Sequence, residues 1–183
     1  MTPPRKGQLV VIDGACPDLI SYGVANKLRR TSIKVATPFA LDWPSCGCDS
    51  VTQVDALVAA SAMGSRRQQA ERVARDGVVA LVPRGELALL KRFAPDRDVD
   101  RGRWILSLRR DWPAPDLYVA ATSTDVTDSP IETSDAFFWM NTLHPMSFGG
   151  NETHVFTEET SDAIVKRIVT KIIFMYKERQ SAC

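Results

Sequence analysis

The sequence lacks most of the features that assign a chain quickly to a class of protein. No apolar run is long enough to cross a bilayer, and residues 1–6 contain no apolar segment of a secretory signal. The 23 Lys and Arg residues nearly balance the 22 Asp and Glu residues, so the composition does not indicate a general binder of polyanions. What remains is a chain of 183 residues, long enough to form one domain, 1–183, with a sizeable core.

Cysteine and histidine are also scarce. The four cysteines form no obvious disulfide framework, which favours a reducing, intracellular compartment, either the mitochondrial matrix or the cytoplasm. Cys46 and Cys48 have the spacing of half a zinc site, but there is no second cysteine pair, and His144 and His154 are distant in sequence. Because structural zinc needs four ligands, we predict no metal and no cofactor, and interpret 46–48 as a loop with two thiols.

The positive signal is an alternation of strands and helices. The runs 78–82 and 117–121 are apolar throughout or nearly so, which is typical of strands buried on both faces of a parallel sheet. The pattern therefore predicts an α/β fold, a three-layer, doubly wound parallel sheet. The predicted strands are 8–12, 31–39, 78–82, 117–121 and 154–156, and the predicted helices are 18–30, 51–75, 86–93, 104–110, 135–143 and 163–179, with 92–103 as a solvated loop.

The turn after the first strand is where such a fold would hold a phosphate group. A phosphate-binding loop has glycine, four residues, glycine, lysine and then serine or threonine. Counted from Gly14, the second glycine falls on Leu19 and the lysine on Ile20, while Ser21 keeps the hydroxyl position. Asp13 and Asp18 add negative charge that would repel phosphate. The sequence therefore predicts a degenerate loop.

Several motifs, in order between residues 6 and 176, resemble thymidylate kinases, P-loop enzymes that transfer a phosphoryl group from ATP to dTMP with Mg²⁺. They are the first strand with its Asp-Gly end, the segment 32–39, and the Ala-rich helix leading into 75–82. The most specific is 111–117, Asp-Trp-Pro-Ala-Pro-Asp-Leu, which looks like the family's Leu-Pro-x-Pro-Asp-Leu connector. The resemblance implies a P-loop kinase-like fold.

The same resemblance implies functional positions, most of which hold other residues here. Ile20 occupies the position of the loop lysine, and Met63 occupies the position of the arginine that binds the substrate. Of the family's Asp-Arg-Tyr motif, residues 83–85 retain only Arg84. The lid, rich in arginine in the family, corresponds to 122–134, which contains no lysine or arginine.

Phosphoryl transfer depends on positioning and on cationic stabilisation, so these losses compound. We therefore predict a catalytically inactive thymidylate kinase-like domain without catalytic residues. Its role would be structural or scaffolding, either in a larger complex or as a homodimer; kinase-like folds with non-catalytic roles in mitochondrial complexes provide the analogy. A vestigial nucleotide site would consist of Asp13, Gly14, Ser21 and Arg84.

Other interpretations remain open on the sequence alone. A nucleotide-binding regulatory protein could use Arg66, Arg67 or Arg84 in place of the loop lysine, and a residual kinase would need Lys27 or Lys91 to reach the turn. In the plainer reading, Ser21 caps or packs within the first helix, and Arg84 pairs with an acid at the surface.

Two further features bear on partners. The C-terminal helix has a wide apolar face, which either packs on both the sheet and the first helix or forms a partner surface. Trp43 and Trp112 look exposed. A nucleic-acid role is disfavoured because the pairs 66–67 and 109–110 are short basic clusters without interleaved aromatic residues.

Overall fold

The computed structural model describes residues 5–14, 16–40, 52–123, 133–142 and 152–181. Within these ranges, four parallel strands form one sheet in the order β2-β1-β3-β4. None of the helices in this part of the chain is long and apolar enough to cross a membrane. The elements are β1 (Gln8–Gly14), α1 (Pro17–Leu28), α2 (Gln53–Arg75), β2 (Val79–Pro83), α3 (Glu86–Phe93), α4 (Val99–Ser107), β3 (Leu117–Ser123), α5 (Thr133–Thr142), β4 (Glu152–Glu159) and α6 (Ser161–Ser181).

Helices cover both faces of the sheet, as predicted for a doubly wound fold. Alternate residues of β1 point to opposite faces, so Leu9 and Val11 join one core while Val10 and Ile12 join the other. The first core is completed mainly by α2, α3, α4 and α5, and the second by α1 and α6. The three-layer prediction is therefore confirmed.

The wide apolar face of α6 is used within the chain. Ile164, Ile168 and Ile172 are fully buried in the same core as Val24 and Leu28 of α1. The interpretation that this helix packs on both the sheet and the first helix is therefore confirmed, although Phe174 remains 55% exposed.

The predicted strand 31–39 is wrong as a continuous strand. This segment makes a single parallel bridge, from Val35 to Val79 of β2, and Phe39 N–H donates to Leu81 O at 2.9 Å. Pro38 has no N–H to donate, which interrupts the ladder between these two contacts. The segment therefore covers the edge of β2 without forming a regular strand.

The predicted loop 92–103 is also wrong in part, because α4 begins at Val99 and ends at Ser107 rather than spanning 104–110. Asp98 starts the helix early: its side chain accepts a hydrogen bond from Arg101 N–H at 3.0 Å. Gly102 makes the helix fit, because a Cβ there would lie 2.5 Å from the ring of Trp139.

Candidate functional site

The turn from β1 into α1 is short. β1 ends at Gly14 and α1 begins at Pro17, so positions that a phosphate-binding loop would occupy are already helical. Gly14 has φ +104°, and a Cβ there would lie 2.0 Å from the carbonyl oxygen of Ala121 on β3. Cys16 follows in the left-handed conformation, with φ 45°. The glycine thus allows two strands to approach closely, and the chain turns immediately into the helix.

Ile20 and Ser21 lie inside the protein. Ile20, at the position of the loop lysine, is fully buried in the core between the sheet and α6. Ser21 is also fully buried, and its Oγ has no hydrogen-bond partner among the described residues. Cys16, rather than Ser21, occupies the N-cap position of α1. Ser21 is therefore a packing residue of the helix.

Asp13 points to the opposite face of the sheet from Ser21. Its carboxylate is fully buried and accepts hydrogen bonds from Gly14 N–H at 2.9 Å, Leu87 N–H at 2.8 Å and the Tyr118 hydroxyl at 2.6 Å. Burial raises the pKa of Asp13, although its hydrogen bond from Tyr118 opposes the shift. Burial also raises the pKa of Tyr118, which keeps the phenol protonated as a donor. The hydroxyl group bound to Asp13 is therefore that of Tyr118, within the protein itself.

We expect the contribution of Asp13 to stability to fall as the pH rises. Since its folded pKa lies above the ordinary 3.8, the native state binds more protons than the unfolded state between these two values. The stabilising contribution of Asp13 is complete below the pKa of the unfolded state. It is lost as the pH rises through the higher pKa of the folded state. Urea denaturation from about pH 4 to about pH 8 should show wild-type stability declining relative to Asp13→Asn. A wild-type advantage that grows with pH would contradict this assignment.

Arg84, the arginine retained from the Asp-Arg-Tyr motif, pairs with the acid of the turn. Its Nη2 lies 2.7 Å from Oδ2 of Asp18, and both side chains are about one-third exposed or less. Arg84 itself has φ +68°, and its N–H donates to Ile12 O at 2.8 Å. The prediction that Arg84 pairs with an acid is confirmed, and the pair spans the sheet edge where β1 and β2 end.

A buried ion pair lies behind this edge. Nη1 and Nη2 of Arg67 each lie 2.9 Å from one carboxylate oxygen of Glu86, and the two residues are 2% and 0% exposed. Burial lowers the pKa of Arg67, but the charge and hydrogen bonds of Glu86, together with Tyr118 and Asp13, outweigh this effect and the pKa is raised. Arg109 lies 3.4 Å from the same carboxylate, and the guanidinium of Arg67 stacks 4.8 Å above the ring of Trp112.

The role of Glu86 was not predicted from the sequence, in which this residue only begins a predicted helix. The one local signal was an acid directly after Gly85, and its partner Arg67 is 19 residues away. Arg66, the neighbour considered with Arg67, is exposed and contacts Gln69 at 3.4 Å. The three arginines proposed to replace the loop lysine therefore contact different partners.

The remaining candidate positions are also engaged elsewhere. Met63 is 5% exposed and belongs to the first core. Lys27 pairs with Asp162 at 2.6 Å, and Lys91 lies 3.7 Å from Asp135, so neither lysine reaches the turn. Most of the lid, together with Trp43, Cys46, Cys48 and His144, lies outside the described residues.

A solved kinase structure has the same fold. A thymidylate kinase from Candida albicans matches this chain with a TM-score of 0.60, over 97% of this chain and 95% of that chain. The two sequences are 15% identical, so the likeness establishes the fold alone. No protein-family model matches the sequence, and no curated protein matches it significantly. The chain thus has a thymidylate kinase-like, P-loop kinase fold, as its sequence motifs predicted.

Proposed function

We propose that this chain is a non-catalytic thymidylate kinase-like domain that serves as a structural or scaffolding subunit of a larger intracellular assembly. The observation that carries the proposal is the position of Ile20, fully buried in the core where the loop lysine of a kinase would stand. Without a cation there, the charge on a transferring phosphoryl group has no counterpart at the turn.

The arginines near this edge support the same proposal because each is engaged by a carboxylate. Arg84 is held by Asp18, and Arg67 is held in a bidentate pair by Glu86. A phosphate group would have to displace one of these acids, and displacing Glu86 would leave a buried charge without its partner. Asp13 is turned into the protein and is committed to Tyr118. The surviving motif residues therefore have structural uses.

Titration with ATP, dTMP and Mg²⁺ tests the proposal. A ligand that binds only the native state must raise the thermal midpoint, by an amount set by its concentration relative to Kd. We expect no shift of the midpoint at millimolar nucleotide and no ADP in a coupled assay. The Candida albicans thymidylate kinase, treated in parallel, serves as the positive control for both measurements.

A shift without turnover would replace this proposal with the second candidate, a nucleotide-binding regulatory protein. The partly exposed pair of Arg84 and Asp18 is the feature that would permit it, because an anion could compete with Asp18 for the guanidinium. Asp18→Asn should then strengthen binding and Arg84→Gln should abolish it. ADP formation would overturn both non-catalytic interpretations.

A further inference from the structure

A pocket lies away from the turn, between the middle of α2, the end of α4 and the connector to β3. Its volume is about 400 Å³, and its lining includes Arg67, Arg109, Arg110, Trp112 and Pro113. It therefore brings Arg67, from one short basic cluster of the sequence, together with Arg109 and Arg110 from the other around one tryptophan. None of the four positions of the vestigial nucleotide site lines it.

The pocket has an excess of positive charge. Three guanidinium groups line it, and among the described residues two of them, those of Arg67 and Arg109, contact the carboxylate of Glu86, which is fully buried. Glu86 already accepts both hydrogen bonds of Arg67, and Arg109 approaches it only to 3.4 Å. Arg110 is exposed at the rim. An occupant that carries negative charge would complement this surface.

The aromatic wall of the pocket is fixed in place. Arg67 stacks on one face of Trp112, and a Cβ at Gly64 would lie 2.5 Å from the indole nitrogen, so the ring packs directly on the backbone of α2. Pro113 and Pro115 stiffen the connector that carries the ring. Fixed tryptophan and arginine side chains are the types that contribute most to protein interfaces, because little freedom is lost when they bind.

We propose that this pocket binds an acidic segment of a partner protein. A carboxylate of the segment pairs with Arg109 and Arg110, and an adjacent apolar side chain packs against Trp112 and Pro113. This inference rests on the proposed function, since it names the kind of partner that a subunit of an assembly would meet.

The charge distribution favours a peptide over a nucleic acid. Single-stranded nucleic acids bind along extended basic grooves. Beside the pocket, by contrast, Arg103 of α4 lies 3.4 Å from Asp100, and Asp111 next to Arg110 is exposed. Among the described residues, acidic side chains thus lie beside the basic ones near the pocket, unlike in a continuous basic groove.

Binding of a short acidic peptide to the full chain tests the proposal. The probe is a pentapeptide with two glutamates on each side of a phenylalanine, followed through the indole N–H resonance of Trp112, which Trp112→Phe assigns. We expect the resonance to shift on titration and Arg110→Glu to weaken binding by about tenfold or more. Arg103→Glu, the same charge change on the same helix outside the pocket, should change affinity by less than about twofold.

Each other outcome overturns the proposal. An unmoved Trp112 resonance at millimolar peptide would show that the pocket does not take acidic segments. An equal loss of peptide binding in Arg103→Glu would indicate nonspecific attraction between charges. A response of the resonance to oligothymidylate alone would assign the pocket to nucleic acid. Full competition by inorganic phosphate would assign the pocket to small anions. The proposed function is tested separately, since ATP and dTMP binding at the turn would overturn it without changing the response to Arg110→Glu.

Discussion

Replacing Arg67 with methionine is expected to lower the free energy of unfolding by about 3–5 kcal/mol, one of the largest losses for a single side chain in this protein. The substitution leaves the carboxylate of Glu86, which is 0% exposed, without its bidentate partner. It also removes the guanidinium that stacks on Trp112. Urea denaturation with linear extrapolation measures the loss.

Two further variants separate the ion pair from the size of the side chain. Arg66→Met, one position earlier on α2, removes an exposed arginine and should change stability by no more than about 0.5 kcal/mol. The double variant Arg67→Met with Glu86→Met should recover most of the loss, because a buried ion pair replaced by apolar groups of similar volume is often close to neutral. A loss below about 1 kcal/mol for Arg67→Met alone would contradict the buried-pair description.

Gly14→Ala is expected to be the other severe substitution, lowering the free energy of unfolding by at least about 3 kcal/mol. Two costs add at this position. The residue has φ +104°, which is unfavourable for any side chain, and the new Cβ would lie 2.0 Å from the carbonyl oxygen of Ala121. Both atoms belong to rigid, paired strands, so β1 and β3 would have to separate. The measurement is again urea denaturation.

Gly77→Ala is the matched control for this prediction. Gly77 also has positive φ, at +87°, but a Cβ there meets only the side chain of Lys6 at 3.8 Å. Gly77→Ala should therefore lower the free energy of unfolding only through its unfavourable backbone conformation, by about 1–2 kcal/mol. Similar losses in the two variants would mean that the close approach of β1 and β3 at Gly14 is not restrictive.

Structural roles explain why residues that resemble those of a kinase site can persist in a domain that we propose to be non-catalytic. Gly14 permits close packing of two strands, and Asp13 joins β1 to α3 and β3 through Leu87 and Tyr118. Arg84 joins the end of β2 to the start of α1 through Asp18. Each residue contributes to the fold at the site where a kinase would use it for nucleotide.

Much of the fold could be predicted from the sequence because its signals are local. Continuous apolar runs placed β2 and β3, and Thr52 and Asp55 form the capping box that begins α2. The helix predicted at 86–93 matches α3. Two predictions were wrong for local reasons. Pro38 interrupts the predicted strand 31–39, and the N-cap at Asp98 starts α4 within the charged stretch predicted as a loop.

The sequence by itself determined the alternation of strands and helices, the missing loop lysine at Ile20 and the likeness to thymidylate kinases, since these depend on residue type and spacing along the chain. Only the tertiary structure decided which polar residues meet. Asp13 and Tyr118 are 105 residues apart, and Arg67 and Glu86 are brought together with Arg109 and Trp112 by the packing of α2, α3 and α4. Periodicity reports which side chains are apolar enough to be buried, but the pairing of buried charges depends on contacts that form only when distant segments fold together.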